Sequence, residues 1–143
     1  MRIQQFSRLL ATFAVLIGLI FLSACHCDKT KLLNTWVLEK YGPTSALKPV
    51  LAQSEVVLKM DNTDHFSGKD GCNQVFGSYK PGGQCHIQFD SIKSTLIFCA
   101  GDGIMQQADA VNGLLRKVNS FSVTDTRLEL CAPGNEVLQY RKQ

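Results

Sequence analysis

The sequence predicts an α+β domain: a mainly antiparallel sheet or small open barrel with one amphipathic helix packed against it. Three observations carry that prediction. Short runs alternate apolar and polar side chains with period two, as Cys85, Ile87 and Phe89 do against His86, Gln88 and Asp90. Clusters of Gly, Pro, Asn and Asp separate these runs, as a succession of strands and turns requires. One segment alone changes period. Ile104, Ala108, Val111, Leu115 and Val118 are spaced four, three, four and three apart, which lays an apolar stripe along one side of a helix over 104–118.

The elements follow in chain order. Thr35–Tyr41 is a β-rich run with Trp36 and Leu38 on one face. Gly42-Pro43-Thr44-Ser45 and Pro49 interrupt it, so Gly42–Ser54 is read as a loop. Glu55–Met60 is a second strand, with Val56, Leu58 and Met60 facing one way. Asp61-Asn62-Thr63-Asp64 is turn chemistry, and His65-Phe66-Ser67 is a short strand after it. Lys69–Gly77 is a glycine-rich connection, Pro81-Gly82-Gly83 is another turn, and Ser94–Phe98 is a further β-like run. In the helix, Asp102 is the expected N-cap, and Arg116 and Lys117 suit the negative end of the helix dipole. Gly113 within it costs about 1 kcal/mol relative to Ala, which a closely packed strand would explain. Phe121 with Val123, Leu128 with Leu130, and Leu138 with Tyr140 mark three more strands. Ala132-Pro133-Gly134-Asn135 turns a terminal hairpin.

The N-terminus is a different kind of sequence. Met1–Arg8 carries Arg2 and Arg8 and no acid, and Leu9–Leu22 carries no charge. A basic segment followed by so short an apolar run is the pattern of an export leader, since a spanning helix needs about 20 apolar residues. The run ends in Leu22-Ser23-Ala24-Cys25, which resembles a bacterial lipobox. That resemblance implies cleavage before Cys25, a diacylglycerol thioether on its sulfur, and usually a third acyl chain on the new N-terminus. Each buried methylene contributes about 0.8 kcal/mol, so two or more chains suffice for stable anchoring. The expected organisation is a lipoprotein signal peptide at 1–24, a lipidated tether at 25–31 and a domain at 32–143. An ordinary secretory signal and an uncleaved anchor are the alternatives. Cys27 is the poorer acylation candidate, because His26 stands where a small residue is needed.

Composition narrows the function. Hydrophobic residues are 45% and charged residues 19% of the 143, which fits a globular chain and not a disordered one. The net charge is only +3, and two of those positives belong to the leader. Nucleic acid is therefore not an expected partner. The chain holds no G-x-S-x-G, no phosphate-loop G-x-x-x-x-G-K-[ST] and no H-E-x-x-H. Asp61 and Asp64 flank a turn rather than forming a catalytic carboxylate pair. Cys25, His26 and Cys27 with His65 or His86 offer soft ligands, but their spacing matches no familiar finger and Cys25 would be alkylated. Neither catalysis, a cofactor nor a metal is expected.

Gly68-x-x-Gly71-Cys72-Asn73-x-x-x-Gly77-x-Tyr79 resembles the signature of the META domain family, which includes the HslJ-like heat-inducible lipoproteins. Thr35-Trp36-Val37-Leu38 is similar to that family's opening strand, and Thr95-x-x-x-Cys99 to its second cysteine motif. The helix and Ser120–Leu130 resemble its C-terminal portion, so the resemblance covers about 32–142. Two departures stand out: Leu96 where the family usually has a basic residue, and Gln106 and Gln107 where it often has a glutamate. The resemblance implies a Cys72–Cys99 disulfide. It implies a fold more than an activity, because the family is linked diffusely to heat response, antibiotic tolerance, motility and virulence. Its fold is also likened to small pilotin lipoproteins. Physically, Gly68, Gly71 and Gly77 permit positive φ or close backbone approach. Asn73 can bond nearby backbone and tolerate left-handed geometry, and Tyr79 can bury its ring while its hydroxyl finds a partner. An enzymatic alternative, with Cys72 as nucleophile and Asn73 as oxyanion donor, conflicts with oxidation of an exported thiol.

Export places the remaining cysteines in an oxidising compartment. Cys85 and Cys131 both fall on predicted strands and are expected to form a second bridge, which leaves Cys27 over. The function expected is that of a non-enzymatic envelope lipoprotein, attached to the membrane by its N-terminal lipid. Its domain would bind an envelope protein partner or contribute to stress tolerance. His26 rather than Asp after the acylated cysteine favours, by analogy with enterobacterial sorting, the outer membrane facing the periplasm. The alternatives are a carrier holding an acyl chain between sheet and helix, a pilotin-like chaperone, and an inhibitor of an envelope enzyme.

Overall fold

The computed structural model describes residues 27–143, so the leader and Cys25 lie outside the described residues. Nine strands and one helix follow a short 3-10 helix at Lys29–Leu32. They are β1 Thr35–Pro43, β2 Lys48–Pro49, β3 Val56–Met60, β4 His65–Asp70, β5 Gln74–Pro81, β6 Ile87–Ser94, α1 Ile104–Leu115, β7 Ser120–Val123, β8 Arg127–Ala132 and β9 Glu136–Lys142. The strands form one antiparallel sheet in the order β6-β5-β4-β3-β1-β9-β8-β7, with β2 beside β1. The sheet curls into a half-barrel. Its two edge strands touch at one point, where His86 bridges Ser120 and the Phe121 N–H donates to the Cys85 carbonyl at 2.9 Å.

Alternation builds the core. Trp36 and Leu38 of β1, Val56, Leu58 and Met60 of β3, and Leu128 and Leu130 of β8 all point inward and are buried. A bulge between Leu38 and Lys40 then shifts β1 by one residue, so Tyr41 also turns inward. Trp36 has no exposed surface, and its indole N–H donates to the Leu32 carbonyl at 3.0 Å. From α1, Val111, Leu114 and Leu115 join the same cluster. Each large apolar side chain so buried contributes about 1.5–3 kcal/mol.

Several expectations are corrected. The expected loop at Gly42–Ser54 contains the last residues of β1 and all of β2, because Tyr41 and Lys40 pair with Lys48 and Pro49. The glycine-rich connection is mostly strand: β4 runs to Asp70 and β5 starts at Gln74, which leaves a turn at 71–73. The β-like run Ser94–Phe98 ends as strand at Ser94. The helix stops at Leu115, and its N-cap is Gly103 (φ 81) with no side-chain cap bond, not Asp102. Nothing lies within 4 Å of where a Gly113 side chain would begin, so close packing does not explain that glycine. The segment read as a tether carries the 3-10 helix, which buries Leu32.

The cysteine pairing is corrected as well. Cys85 is bonded to Cys27, with Cα atoms 5.0 Å apart, and not to Cys131. The physical reason lies in the backbone. Cys85 adopts a left-handed φ of 64 just before β6, so strand alternation does not govern where its side chain points. Cys131 stands on β8 between the buried Leu130 and Ala132, with its Sγ 3.8 Å from a Glu129 carboxylate oxygen. Cys72 is bonded to Cys99 with Cα atoms 5.8 Å apart, the pair that the family resemblance implies.

Candidate functional site

The signature residues do not form one cluster. Gly77 and Tyr79 lie along β5, away from the β4–β5 turn. Gly77 occupies a register shift between Phe76 and Ser78, where a Cβ would press on the Phe66 ring at 2.7 Å. Tyr79 is 2% exposed, and its hydroxyl donates to the Asp61 carbonyl at 2.6 Å. Burial, with Asp64 and Asp61 nearby, pushes the Tyr79 phenol up to about 12. An outer-face concavity of about 410 Å³ lies beside Gly77, lined in part by His65, Phe76 and Lys93.

The other signature residues meet at the end of the half-barrel where β4 ends, β5 begins and β6 ends. Asp70, 1% exposed, organises the turn. One of its carboxylate oxygens accepts from the Cys72 N–H at 2.9 Å and from the Asn73 N–H at 2.6 Å. The other accepts from the Asn112 side-chain amide of α1 at 2.7 Å. Gly71 has φ 101, and a Cβ there would stand 2.9 Å from Gln107 Nε2. On β4, a Cβ at Gly68 would fall on the Val57 carbonyl of β3. These are the close approaches that demand glycine.

Asn73 then takes the place of a strand. Its side-chain oxygen accepts from Thr95 Oγ1 at 2.9 Å and from the Ile97 N–H at 2.7 Å. Thr95 Oγ1 in turn accepts from the Gln74 N–H at 3.1 Å. A side chain that supplies the partner for 97 explains why Ser94–Phe98 does not continue as strand. Asn73 is not among the left-handed residues, so it is this bonding, not its backbone, that the turn uses. The Cys72–Cys99 disulfide closes the same loop.

Two buried polar residues escaped the sequence reading. Asp70 lies inside the segment Lys69–Gly77, where the glycines dominate the pattern and nothing singles it out. Gln107, noted only as a departure from a family pattern, is 1% exposed. Its oxygen accepts from the Leu51 N–H at 2.8 Å and its nitrogen donates to Ser54 Oγ at 2.6 Å. Its helical position beside Ala108, on the apolar side, was the available signal.

Outside this network the loop turns its apolar side chains to solvent. Leu96 is 98% exposed, Ile97 55% and Phe98 83%. Between the loop and α1 lies a cleft of about 290 Å³ that Ile97, Met105, Asp109 and Asn112 help to line. No group of three or more metal-ligating side chains occurs among the described residues, nor does a helix long and apolar enough to cross a membrane.

The model of the META domain matches residues 30–143. This chain belongs to the META domain family. Solved structures share the fold of this META domain. The NMR structure of a protein from Burkholderia xenovorans superposes with a TM-score of 0.68 at 22% identity, covering 80% of this chain and 86% of that one. The crystal structure of a DUF4847 family protein from Bacteroides vulgatus gives a TM-score of 0.55 at 13% identity, covering 81% of this chain and 98% of that one. Identities this low show the shared fold alone. None of the curated proteins compared by sequence matches this META chain significantly.

Proposed function

We propose that this META domain is the periplasmic part of a non-enzymatic envelope lipoprotein, anchored in the outer membrane through acylated Cys25, that binds an envelope protein. The observation that carries the reading is Leu22-Ser23-Ala24-Cys25 directly after an apolar export leader. Two disulfides in the domain behind it support export to an oxidising compartment. The signature's polar groups support a structural rather than a catalytic role for them, because Asp70, Asn73 and Thr95 bond to one another and to backbone. A core filled by Trp36, Leu38, Tyr79 and Phe89 supports this reading over that of an acyl-chain carrier.

Fractionation of cells expressing the full chain tests it. The wild-type protein is expected in the membrane fraction as an acylated species, and Cys25→Ala in the soluble fraction. A Cys25→Ala protein that stays on the membrane unchanged refutes the lipid anchor.

A further inference from the structure

We infer that the loop Leu96–Phe98 and the cleft beside it form the docking surface for a partner polypeptide that presents apolar side chains next to a basic one. This deepens the lipoprotein reading proposed above and rests on it for its orientation.

The first support is the loop itself. Three consecutive large apolar side chains stand in solvent, against only Leu33 and Phe76 elsewhere among the described residues. They do not stand out because the loop is loose. Asn73 holds the backbone at Ile97, Gln74 holds it at Thr95, and Cys99 is tied to Cys72. A rigid apolar surface keeps its hydration cost in the free protein and loses little entropy on binding.

The second support is charge. The cleft adjoining the loop is lined by Ile97 and Met105 together with Asp70 and Asp109, and no basic side chain lines it. Asp70 is buried and engaged in three hydrogen bonds within the fold, so the carboxylate that faces solvent is that of Asp109. An apolar surface bordered by the exposed Asp109 carboxylate complements a segment that carries a Lys or Arg beside its apolar anchors.

The third support decides between a protein and the bilayer. Cys27 is bonded to Cys85, just before β6, whereas Leu96 lies just past the end of β6. The eight residues of β6 between them, with one bulge at Ser91, extend roughly 20 Å. Two residues of chain span at most about 7 Å, so a lipid on Cys25 stays close to Cys27. Cys27 and the apolar loop therefore lie at opposite ends of β6. On the lipoprotein reading proposed above, that puts the loop on the side away from the membrane.

Two measurements on the full-length protein test this. In detergent micelles, a short peptide of alternating Leu and Lys is expected to bind, and one of alternating Leu and Glu is not. Asp109→Lys and the double variant Leu96→Asp with Phe98→Asp should each weaken binding roughly ten-fold or more. All three positions are exposed, and retention of the unfolding midpoint shows that the variants fold. Equal affinity for the two peptides, or unchanged affinity in the folded variants, overturns the proposal. In cells, a photoreactive residue replacing Leu96 should yield a protein adduct that Asp109→Lys abolishes. A lipid adduct, or a protein adduct indifferent to Asp109→Lys, overturns it too. The micelle titration does not depend on Cys25, so failure of the anchor reading, read from Cys25→Ala fractionation, remains distinguishable from failure of this one.

Discussion

Asp70 and Asn73 do with side chains what ladder bonds do elsewhere in the sheet. Asp70 satisfies two backbone N–H groups of a turn and one amide of α1, and all of this happens out of water. Asp70→Ala would leave these donors without an acceptor, at about 3 kcal/mol. Asp70→Asn should cost less than half as much. The Asn112 side-chain oxygen is buried without a partner, so a flip of the Asn112 amide lets it accept from the side-chain nitrogen that the substitution introduces. Urea unfolding of both variants checks the ordering. Asn73→Ala removes the acceptor for Thr95 and Ile97 and should cost about 2 kcal/mol. Two of the buried tyrosines, Tyr79 and Tyr140, set the alkaline limit. Burial raises the phenols of Tyr79 and Tyr140 above their usual value of 10.0. Their contribution is fully present below pH 10, where the unfolded chain also keeps the proton. It is lost as pH rises through the folded values, so the melting temperature should fall steeply above pH 10. Tyr79→Phe should flatten that fall, while losing about 1 kcal/mol at neutral pH with the bond to Asp61.

At the scale of elements, what was legible was periodicity. Trp36 and Leu38, the Val56–Met60 alternation and the Ile87–Phe89 pair announced strands because a half-buried sheet repeats every two residues. What was not legible came from contacts distant in sequence. Nothing local to Thr95–Phe98 says that Asn73 will replace its strand partner. Nothing local to Cys85 says that a left-handed backbone will aim it at Cys27. Of the candidate site, the signature showed Gly71, Cys72, Asn73, Thr95 and Cys99, whereas Asp70 and Gln107 became visible only once the helix was placed. The same turn yields a prediction. Cys99→Ser opens a loop spanning 27 positions and should cost about 2–4 kcal/mol, with the exposed loop gaining hydrogen exchange first. Exchange protection at Ile97 equal to wild type would show that Asn73 alone holds the loop.

For the whole molecule, a single core runs from Leu32 through the sheet to Tyr140. Trp36, the chain's one tryptophan, lies at its centre with no exposed surface. Fluorescence from Trp36 and backbone circular dichroism should therefore report one coincident transition with disulfides intact. The two disulfides also set a connectivity that the fold alone does not show. Their spans, 27 to 85 and 72 to 99, interleave. A single cut of the backbone anywhere from 27 to 99 leaves both fragments joined by at least one sulfur–sulfur bond. The solvent-facing Leu96–Phe98 stretch, the natural target for a protease that prefers apolar residues, lies inside that interval. A nick there would show as two bands on a reducing gel and one on a non-reducing gel, and the severed C-terminal half would stay tethered wherever the N-terminus is fixed.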